Sequence, residues 1–228
     1  MDLTVNDVSK LLQVSEETIH TWTKEGAIPS YQLSGEYRFN REEIEEWMLR
    51  HVNQDDLHID PKEQSKGLQH FNLYRALHKG LVLNDIEGTT KEEVIRNSME
   101  IISQQLDVDA EVLTNLLLDR EKLMSTAINR GVAIPHTRDF LLSNAYDVVA
   151  IVHPKDAIDY DALDGKKVHT LFFLFACQDK RHLNLIAKIA FFCHQPENLE
   201  VLKQKLNKKE LLSSVKAWES GLNQLQPA

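Results

Sequence analysis

Residues 120–138 read REKLMSTAINRGVAIPHTR, and the unusual feature is the Pro135-His136 dipeptide that closes an apolar run. A strand that begins Val-Ala-Ile normally continues with another apolar residue or ends at Gly or Asn. This one stops at a proline and presents an imidazole immediately afterwards. The pattern therefore predicts a short strand, over about residues 131–135, that places His136 at its end.

The composition is that of an ordinary globular protein, with 42% hydrophobic and 27% charged residues in 228. No apolar stretch approaches the roughly 20 residues that span a bilayer, so membrane insertion is not expected. The acidic, polar N-terminus does not resemble a secretory signal or a transit peptide, which predicts a cytoplasmic location. Cys177 and Cys193 lie in apolar surroundings and are expected to be reduced core thiols.

Residues 1–50 are dense with signals that start and end helices. Gly26 ends the second helix, and Ser34-Gly35 lies between two short alternating runs that predict a hairpin. Three residues are predicted N-caps: Thr4, Ser15 and Asn40. The predicted core-facing residues are Val5, Val8, Leu11, Leu12, Ile19, Trp22, Ile44, Trp47 and Met48. Two helices around a tight turn, a hairpin and a third helix indicate a winged helix-turn-helix domain.

Residues 2–49 resemble the excisionase-like and MerR-like DNA-binding domains. The resemblance rests on the apolar spacing, on Trp-x-x-x-Gly after the second helix, and on a Tyr-Arg-Phe wing before an acidic Ile-x-x-Trp helix. It implies that the second helix enters the major groove and that Arg38 on the wing reaches phosphate or the minor groove. The residues that this helix would present to DNA are Glu17, Thr18, His20, Thr21 and Lys24.

The charge of residues 1–50 limits the expected affinity for DNA. They contain five basic and ten acidic residues, and the whole chain has a net charge of −9. Because each neutralised phosphate needs a cation, a monomer is expected to bind weakly, and a homodimer would double the contacts. The alternative is that this domain keeps the fold but binds a protein partner.

The remaining chain is predicted to contain a linker and an α/β domain. Residues 51–66 are polar and lose the periodicity, which indicates a linker, and residues 67–228 form the second domain. Its predicted helices cover about 68–80, 91–105, a segment capped by Asp109, 182–193 and two final segments; its strands cover about 131–135, 146–152 and 168–176. In the helix after Asp109, the residues predicted to face the core are Val112, Leu113, Leu116 and Leu117. Helices packed on a mixed central sheet are the expected architecture.

Residues 120–138 closely resemble the active-site segment of fructose/mannitol-type enzyme IIA of the bacterial phosphotransferase system, including its nitrogen-regulatory branch. The matches are Arg120-Glu121, Ser125-Thr126 and Gly131 through His136, and the similarity extends over about residues 68–218. The resemblance implies that His136 accepts a phosphoryl group from a histidine-containing phosphocarrier protein of the sugar or the nitrogen branch. The product is a covalent phosphohistidine, and no bound cofactor is expected.

The chemistry agrees with these residue types. A neutral imidazole is a good phosphoryl acceptor, and phosphoryl transfer needs positioning and charge stabilisation. Arg120 is the expected guanidinium clamp, and His182 matches the second active-site histidine of the family. Ser125 or Thr126 could donate a hydroxyl hydrogen bond to the phosphate. The structural alternatives are a hydrogen-bonded strand-end histidine, a solvated arginine and an exposed helix-start histidine.

Two further expectations concern the same segment. Zinc-ligand spacings are missing around His136, so no metal site is expected there. The family often has glycine where this chain has Ala127 and Asn129. Asn129 can adopt a left-handed backbone conformation but Ala127 cannot do so cheaply, so the loop before the strand is expected to differ in shape.

The sequence therefore predicts a regulator that is phosphorylated on His136 and controls transcription through an N-terminal DNA-binding domain. A second hypothesis is a sugar-transport IIA component that passes phosphate to a IIB protein, with the first domain binding protein. A third is a regulator that acts by direct contact with other enzymes and is switched by phosphorylation.

Overall fold

The computed structural model describes residues 2–12, 14–51, 72–137 and 146–224. Most of the predicted linker, and the start of the helix predicted over residues 68–80, lie outside the described residues. Residue 51, predicted to begin the linker, instead ends the third helix of the N-terminal domain.

The N-terminal domain follows the predicted order of helices and hairpin. Its elements are β1 (Asp2–Thr4), α1 (Val5–Leu12), α2 (Glu16–Glu25), β2 (Tyr31–Leu33), β3 (Glu36–Asn40) and α3 (Arg41–His51). The strands form an antiparallel sheet in the order β1-β3-β2. The hairpin was predicted, whereas β1 was missed because its three residues carry too little alternation to identify a strand.

Local capping determines where these helices begin and end. Asp7 N–H donates to Thr4 Oγ1 at 3.1 Å, and Thr4 N–H donates back to the Asp7 carboxylate at 3.1 Å, which is a reciprocal capping box. Ser15 Oγ accepts from Thr18 N–H at 3.0 Å, and Asn40 Oδ1 accepts from Glu42 N–H at 2.8 Å. Gly26 closes α2 with a φ of 68°. All of the predicted core residues of this domain are buried except Val5 and Trp22, which are partly buried.

The second domain is a mixed sheet flanked by helices, as predicted. Its elements are α4 (Asn72–Lys79), β4 (Val82–Ile86), α5 (Lys91–Leu106), α6 (Ala110–Leu123), β5 (Val132–Ala133), β6 (Val148–Pro154), β7 (Thr170–Phe175), α7 (Asp179–His194), α8 (Pro196–Lys203) and α9 (Lys208–Gln224). The strand order is β4-β6-β7-β5, with β6 and β7 antiparallel and the outer pairs parallel. The sequence did not reveal β4, a partly exposed edge strand whose register shifts after Leu83.

The sheet separates two apolar clusters. Along β7, Phe172 and Leu174 face one cluster while Leu171 and Phe173 face the other, as the alternation of a strand requires. Helices α5 and α6 cover the second face. The first cluster continues without a break into the buried residues of α1 and α3. The two domains therefore share one apolar core in this arrangement.

Two predictions about individual side chains need correction. Val112 was predicted to face the core, but it is 50% exposed, and Leu116 is only partly buried. Helix α6 buries the narrower stripe that contains Leu113 and Leu117. Cys193 is a buried thiol as predicted, whereas Cys177 is partly exposed; both are free.

A buried ion pair ties three helices of the second domain together. Lys188 Nζ on α7 lies 2.5 Å from Glu219 Oε1 on α9, and both residues are about 2% exposed. The Glu219 carboxylate also accepts from the N–H groups of Leu73 and Tyr74, at 3.3 and 3.0 Å, at the start of α4.

Within the described residues, no helix is both long enough and apolar enough to cross a membrane.

Candidate active site

His136 lies immediately beyond β5, alongside the central strand β7. Ile134 N–H donates to Thr126 O at 3.0 Å, and Leu174 N–H donates to Pro135 O at 3.0 Å, so the backbone before the imidazole is fixed on both sides. His136 Nδ1 lies 2.7 Å from Ile134 O. Because a carbonyl oxygen can only accept, Nδ1 carries a proton. Nε2 is then the ring nitrogen of His136 that can act as a nucleophile.

A carboxylate from the other domain occupies the space in front of that nitrogen. Glu45 Oε1, on α3, lies 2.9 Å from His136 Nε2. Glu45 is 1% exposed and His136 is fully buried. Glu45 could not be identified from the sequence, since its helix also carries Glu42, Glu43 and Glu46 and nothing in the sequence distinguishes the four.

The other two predicted residues converge on the same carboxylate. Arg120 Nη2 donates to Glu45 Oε1 at 3.4 Å, while its Nη1 donates to Met124 O at 3.0 Å. His182 Nε2 lies 3.3 Å from Glu45 Oε2, and its ring stands edge-on to that of His136 with the centroids 5.0 Å apart. Arg41 Nη2 lies 3.9 Å from Glu45 Oε2. Two imidazoles and two guanidiniums therefore surround one carboxylate.

The electrostatics of this cluster fix its charge state. Burial by itself would raise the pKa of Glu45, but the hydrogen bond from His136 and the close His182 ring outweigh it and hold that pKa well below its usual range. Burial lowers the pKa of His182 to about 4, against the opposing pull of Glu45, so this ring is neutral at pH 7. An ionised Glu45 can only accept, so His136 Nε2 must also carry a proton. In this arrangement His136 has no lone pair with which to attack phosphorus.

A family model described as "Phosphoenolpyruvate-dependent sugar phosphotransferase system, EIIA 2" matches residues 75–218, more than half of the chain. The chain belongs to this enzyme IIA family. A second model, for a helix-turn-helix domain, matches residues 3–52, so the enzyme IIA domain follows a helix-turn-helix domain. His136, Arg120 and His182 all lie within the first match.

Relatives of this enzyme IIA domain include a nitrogen regulatory protein and a mannitol-specific enzyme IIA component. The chain is 34% identical over 121 residues to a nitrogen regulatory protein of Pseudomonas aeruginosa, covering 52% of this chain and 77% of that protein. It is 30% identical over 124 residues to a mannitol-specific phosphotransferase enzyme IIA component of Geobacillus stearothermophilus, covering 54% and 83%. The crystal structure of the nitrogen regulatory protein IIA-Ntr from Neisseria meningitidis superposes with a TM-score of 0.53 at 26% identity, covering 59% of this chain and 92% of that one.

The hydroxyl groups of Ser125 and Thr126, the two hydroxyl residues of the enzyme IIA motif, donate hydrogen bonds to other groups of the same domain. Ser125 Oγ donates to Tyr160 O at 2.6 Å. Thr126 is fully buried, and both its hydroxyl and its N–H donate to the Glu121 carboxylate. A direct phosphate contact by Ser125 or Thr126 therefore stays a prediction, and in this structure the hydroxyl of Thr126 holds Glu121. Burial raises the pKa of Glu121, with the Thr126 bonds opposing the rise.

The loop before the active-site strand is left-handed at Asn129, the position that the sequence allowed, and not at Ala127. Asn129, Arg130 and Gly131 have φ values of 68°, 56° and 81°. Ala127 is not left-handed; it forms an isolated antiparallel bridge with Ala133 and therefore needs no glycine. At Gly131 a Cβ atom would lie 2.5 Å from His169 Cδ2, so only glycine fits there.

The cluster also has the donor types of a metal site, which the sequence did not predict. Glu45, His136 and His182 each offer a ligand atom within 4.8 Å of the others. However, Arg120 and Arg41 lie 3.4 and 3.9 Å from the same carboxylate and already compensate its charge. A divalent cation would enter a site that is already rich in positive charge. The imidazoles and guanidiniums of this site therefore suit an anion better than a metal ion.

The predicted DNA-contacting residues are unequally available. His20, Thr21 and Lys24 are exposed on α2, as is Glu17, and the enzyme IIA domain does not cover them. Thr18 is partly buried, and its hydroxyl lies 2.8 Å from Ser15 Oγ in the helix cap. Arg38 is paired with Glu36 at 2.7 Å. The polar groups of Thr18 and Arg38 are thus already engaged within the domain, and DNA contact by any of these residues stays a prediction.

Proposed function

We propose that this protein is a phosphotransferase-system regulator that is phosphorylated on His136 and controls transcription through its helix-turn-helix domain. The observation that carries the proposal is the convergence of His136, His182 and Arg120 in one buried anion site of an enzyme IIA domain. The attached helix-turn-helix domain adds a regulatory output. The phosphoryl donor is a histidine-containing phosphocarrier protein of the sugar branch or its nitrogen-branch homologue.

Transfer to Nε2 requires a neutral His136 from which Glu45 has moved away. The Nε2 lone pair forms the new N–P bond while the donor's N–P bond breaks and its electron pair returns to the donor imidazole. The Nδ1 proton stays on the ring, held by Ile134 O, which compensates the positive charge that develops on the imidazole. The Arg120 guanidinium is placed to fork onto the phosphoryl oxygens, and His182 can offer a ring N–H.

A transport role is the second candidate, because one relative is named as a mannitol-specific enzyme IIA component. In that case the phosphoryl group would pass from His136 to a IIB protein, and the N-terminal domain would bind a protein. The helix-turn-helix match favours regulation, since the DNA-facing side of α2 stays exposed.

Phosphoryl transfer is tested by incubating the chain with labelled phosphoenolpyruvate, enzyme I and each of the two carrier types. The wild type is expected to take up label, His136→Ala to take up none, and His20→Ala to behave as the wild type. Equal labelling of His136→Ala and the wild type would overturn the assignment.

The transcriptional role is tested by a mobility-shift assay on the DNA upstream of the protein's own locus, with scrambled DNA as control. A regulator is expected to shift the first at lower concentration than the second. Equal shifts, or none, would favour the transport alternative.

A further inference from the structure

The N-terminal domain docks on the enzyme IIA domain directly over the proposed phosphorylation site. Helices α1 and α3 pack against α7, the helix that carries His182. At the margin of the contact, the Arg50 guanidinium reaches Met124 Sδ at 3.1 Å. The apolar core is continuous across the junction. The surface that a phosphocarrier would need to approach is thus covered by part of the same chain.

Glu45 is the polar centre of this contact. A buried carboxylate is unfavourable unless opposite charges and polar groups surround it, and here three of the four side chains that do so belong to the other domain: His136, His182 and Arg120. The burial of Glu45 is therefore stabilised only while the domains are docked. The same three groups are those assigned to hold the phosphoryl group.

The site also has capacity for a larger anion than a carboxylate. Arg120 Nε is buried and makes no hydrogen bond within the described residues, and His182 Nε2 lies 3.3 Å from Glu45 Oε2 without forming one. Glu45 accepts from one nitrogen of Arg120 and one of His136 and leaves this further donor capacity unused. A phosphoryl group brings three strong acceptor oxygens and about −1.5 to −2 charges.

We propose that Glu45 is a built-in phosphoryl mimic, so that docking of the helix-turn-helix domain and phosphorylation of His136 exclude one another. This inference rests on the proposed function and names how the site is regulated. Docked Glu45 shields Nε2 from a donor. A phosphoryl group on Nε2 would in turn occupy the space of the Glu45 carboxylate and repel it, which releases the domain.

The coupling between docking and phosphorylation is reciprocal. If phosphorylation of His136 favours the undocked state, then undocking favours phosphorylation of His136 to the same extent. Since phosphorylation proceeds only from the undocked fraction, docking slows it in proportion to that fraction. The exposed side of α2 faces solvent in the docked arrangement, so the switch does not act by uncovering that helix. It changes the exposure of the α1 and α3 faces that pack on α7.

The test compares phosphorylation rates of the full chain with Glu45→Gln, using phosphoramidate as a small donor and the carrier system as a large one. Glu45→Gln removes the charge at nearly constant size and is expected to label His136 faster by on the order of tenfold or more with both donors. The matched control is Glu43→Gln on the exposed side of the same helix, which should label at the wild-type rate.

Equal rates for the wild type and Glu45→Gln, with His136 labelled in both, would overturn the mimicry and leave the proposed function standing. Absence of His136 labelling in every variant, with either donor, would instead overturn the proposed function and the inference with it. Circular dichroism confirms that each variant is folded, and Glu45→Lys supplies a second variant that repels Arg120 and Arg41.

Small-angle scattering then measures docking directly. The radius of gyration is expected to increase in Glu45→Lys and in phosphorylated wild type, and to stay at the wild-type value in Glu43→Gln. A phosphorylated wild type as compact as the unphosphorylated protein would contradict the proposal.

Discussion

The guanidinium of Arg120 joins the two domains: one nitrogen donates to Glu45 on α3 at 3.4 Å, and another donates to Met124 O in its own domain at 3.0 Å. Arg120 is 4% exposed, so its charge is compensated in the docked state mainly by Glu45. In the proposed undocked state Glu45 no longer accepts from this guanidinium, which becomes available to a phosphoryl group on His136. One side chain can therefore stabilise either docking or phosphoryl transfer.

Arg120→Lys is expected to slow phosphorylation of His136 by about 10²-fold when it is made in the Glu45→Gln background, since a lysine cannot fork onto phosphoryl oxygens. In the wild-type background the loss should be smaller, because the substitution also weakens docking. Label uptake from the carrier is the measurement, with Arg96→Lys on the exposed surface of α5 as control. An unchanged rate in the Glu45→Gln background would show that Arg120 does not hold the phosphoryl group.

The sequence contains most of the information about the chemistry and little about the docking. Arg120 and His136 lie in one short segment and His182 lies well beyond it, yet the family resemblance identified all three, and the structure brings them together. Caps such as Ser15 and Asp109 were also identifiable, because capping is a local interaction. The burial of Glu45 could not be identified from the sequence, because contacts with the other domain determine it. Its helix also carries four chemically equivalent glutamates. Edge strand β4 was missed for a related reason: its pairing with β6 determines it, and its own sequence does not show the alternation of apolar and polar residues that predicts a strand.

Thr126→Val is expected to lower the free energy of unfolding by about 1–3 kcal/mol, because it leaves the buried Glu121 carboxyl without its hydroxyl donor. Thr126→Ser should retain most of the stability. Urea unfolding followed by circular dichroism is the measurement. The phosphorylation rate in the Glu45→Gln background separates the two roles: a threonine that acts only through Glu121 leaves this rate near the reference value, whereas a phosphate contact lowers it in Thr126→Val and not in Thr126→Ser.

The Lys188–Glu219 pair is expected to show strong coupling in a double-mutant cycle. Lys188→Met or Glu219→Gln alone leaves a buried charge uncompensated and should lower the free energy of unfolding by about 3–5 kcal/mol, while the double variant should lose clearly less than the sum. The exposed pair of Lys122 and Asp119, at 2.8 Å, is the control and should contribute about 1 kcal/mol or less. Additive losses at Lys188 and Glu219 would contradict the expected coupling.

As the pH falls below neutrality, buried histidines are expected to destabilise the fold before the carboxylates become protonated. Burial lowers the pKa of His153 to about 4, as it does for His182, whereas an unfolded histidine titrates near 6.5. The unfolded chain therefore binds more protons between these values, and stability is retained above about pH 6.5 and lost as the pH falls toward 4. Each histidine contributes at most about 3 kcal/mol of this loss.

His153→Asn keeps a polar group near Thr170 and should reduce the slope of unfolding free energy against pH by about one proton in this window. Chemical unfolding at a series of pH values from 4 to 7 is the measurement. His20→Asn on exposed α2 removes a histidine without removing a buried one and is the matched control. An unchanged slope in His153→Asn would show that this histidine is already protonated in the fold.

Lys24→Gln is expected to weaken DNA binding about equally on specific and scrambled sequences, since Lys24 lies in the last turn of α2, where we expect it to neutralise a phosphate and not to read a base. The slope of log affinity against log salt concentration should fall by about one unit per bound domain. Fluorescence anisotropy at several salt concentrations measures both effects. Lys10→Gln, exposed on α1 and outside the predicted DNA-facing set, is the charge-matched control. If Lys10→Gln lowers the slope and Lys24→Gln does not, the DNA-facing surface lies on α1 and the assignment of α2 as the recognition helix is wrong.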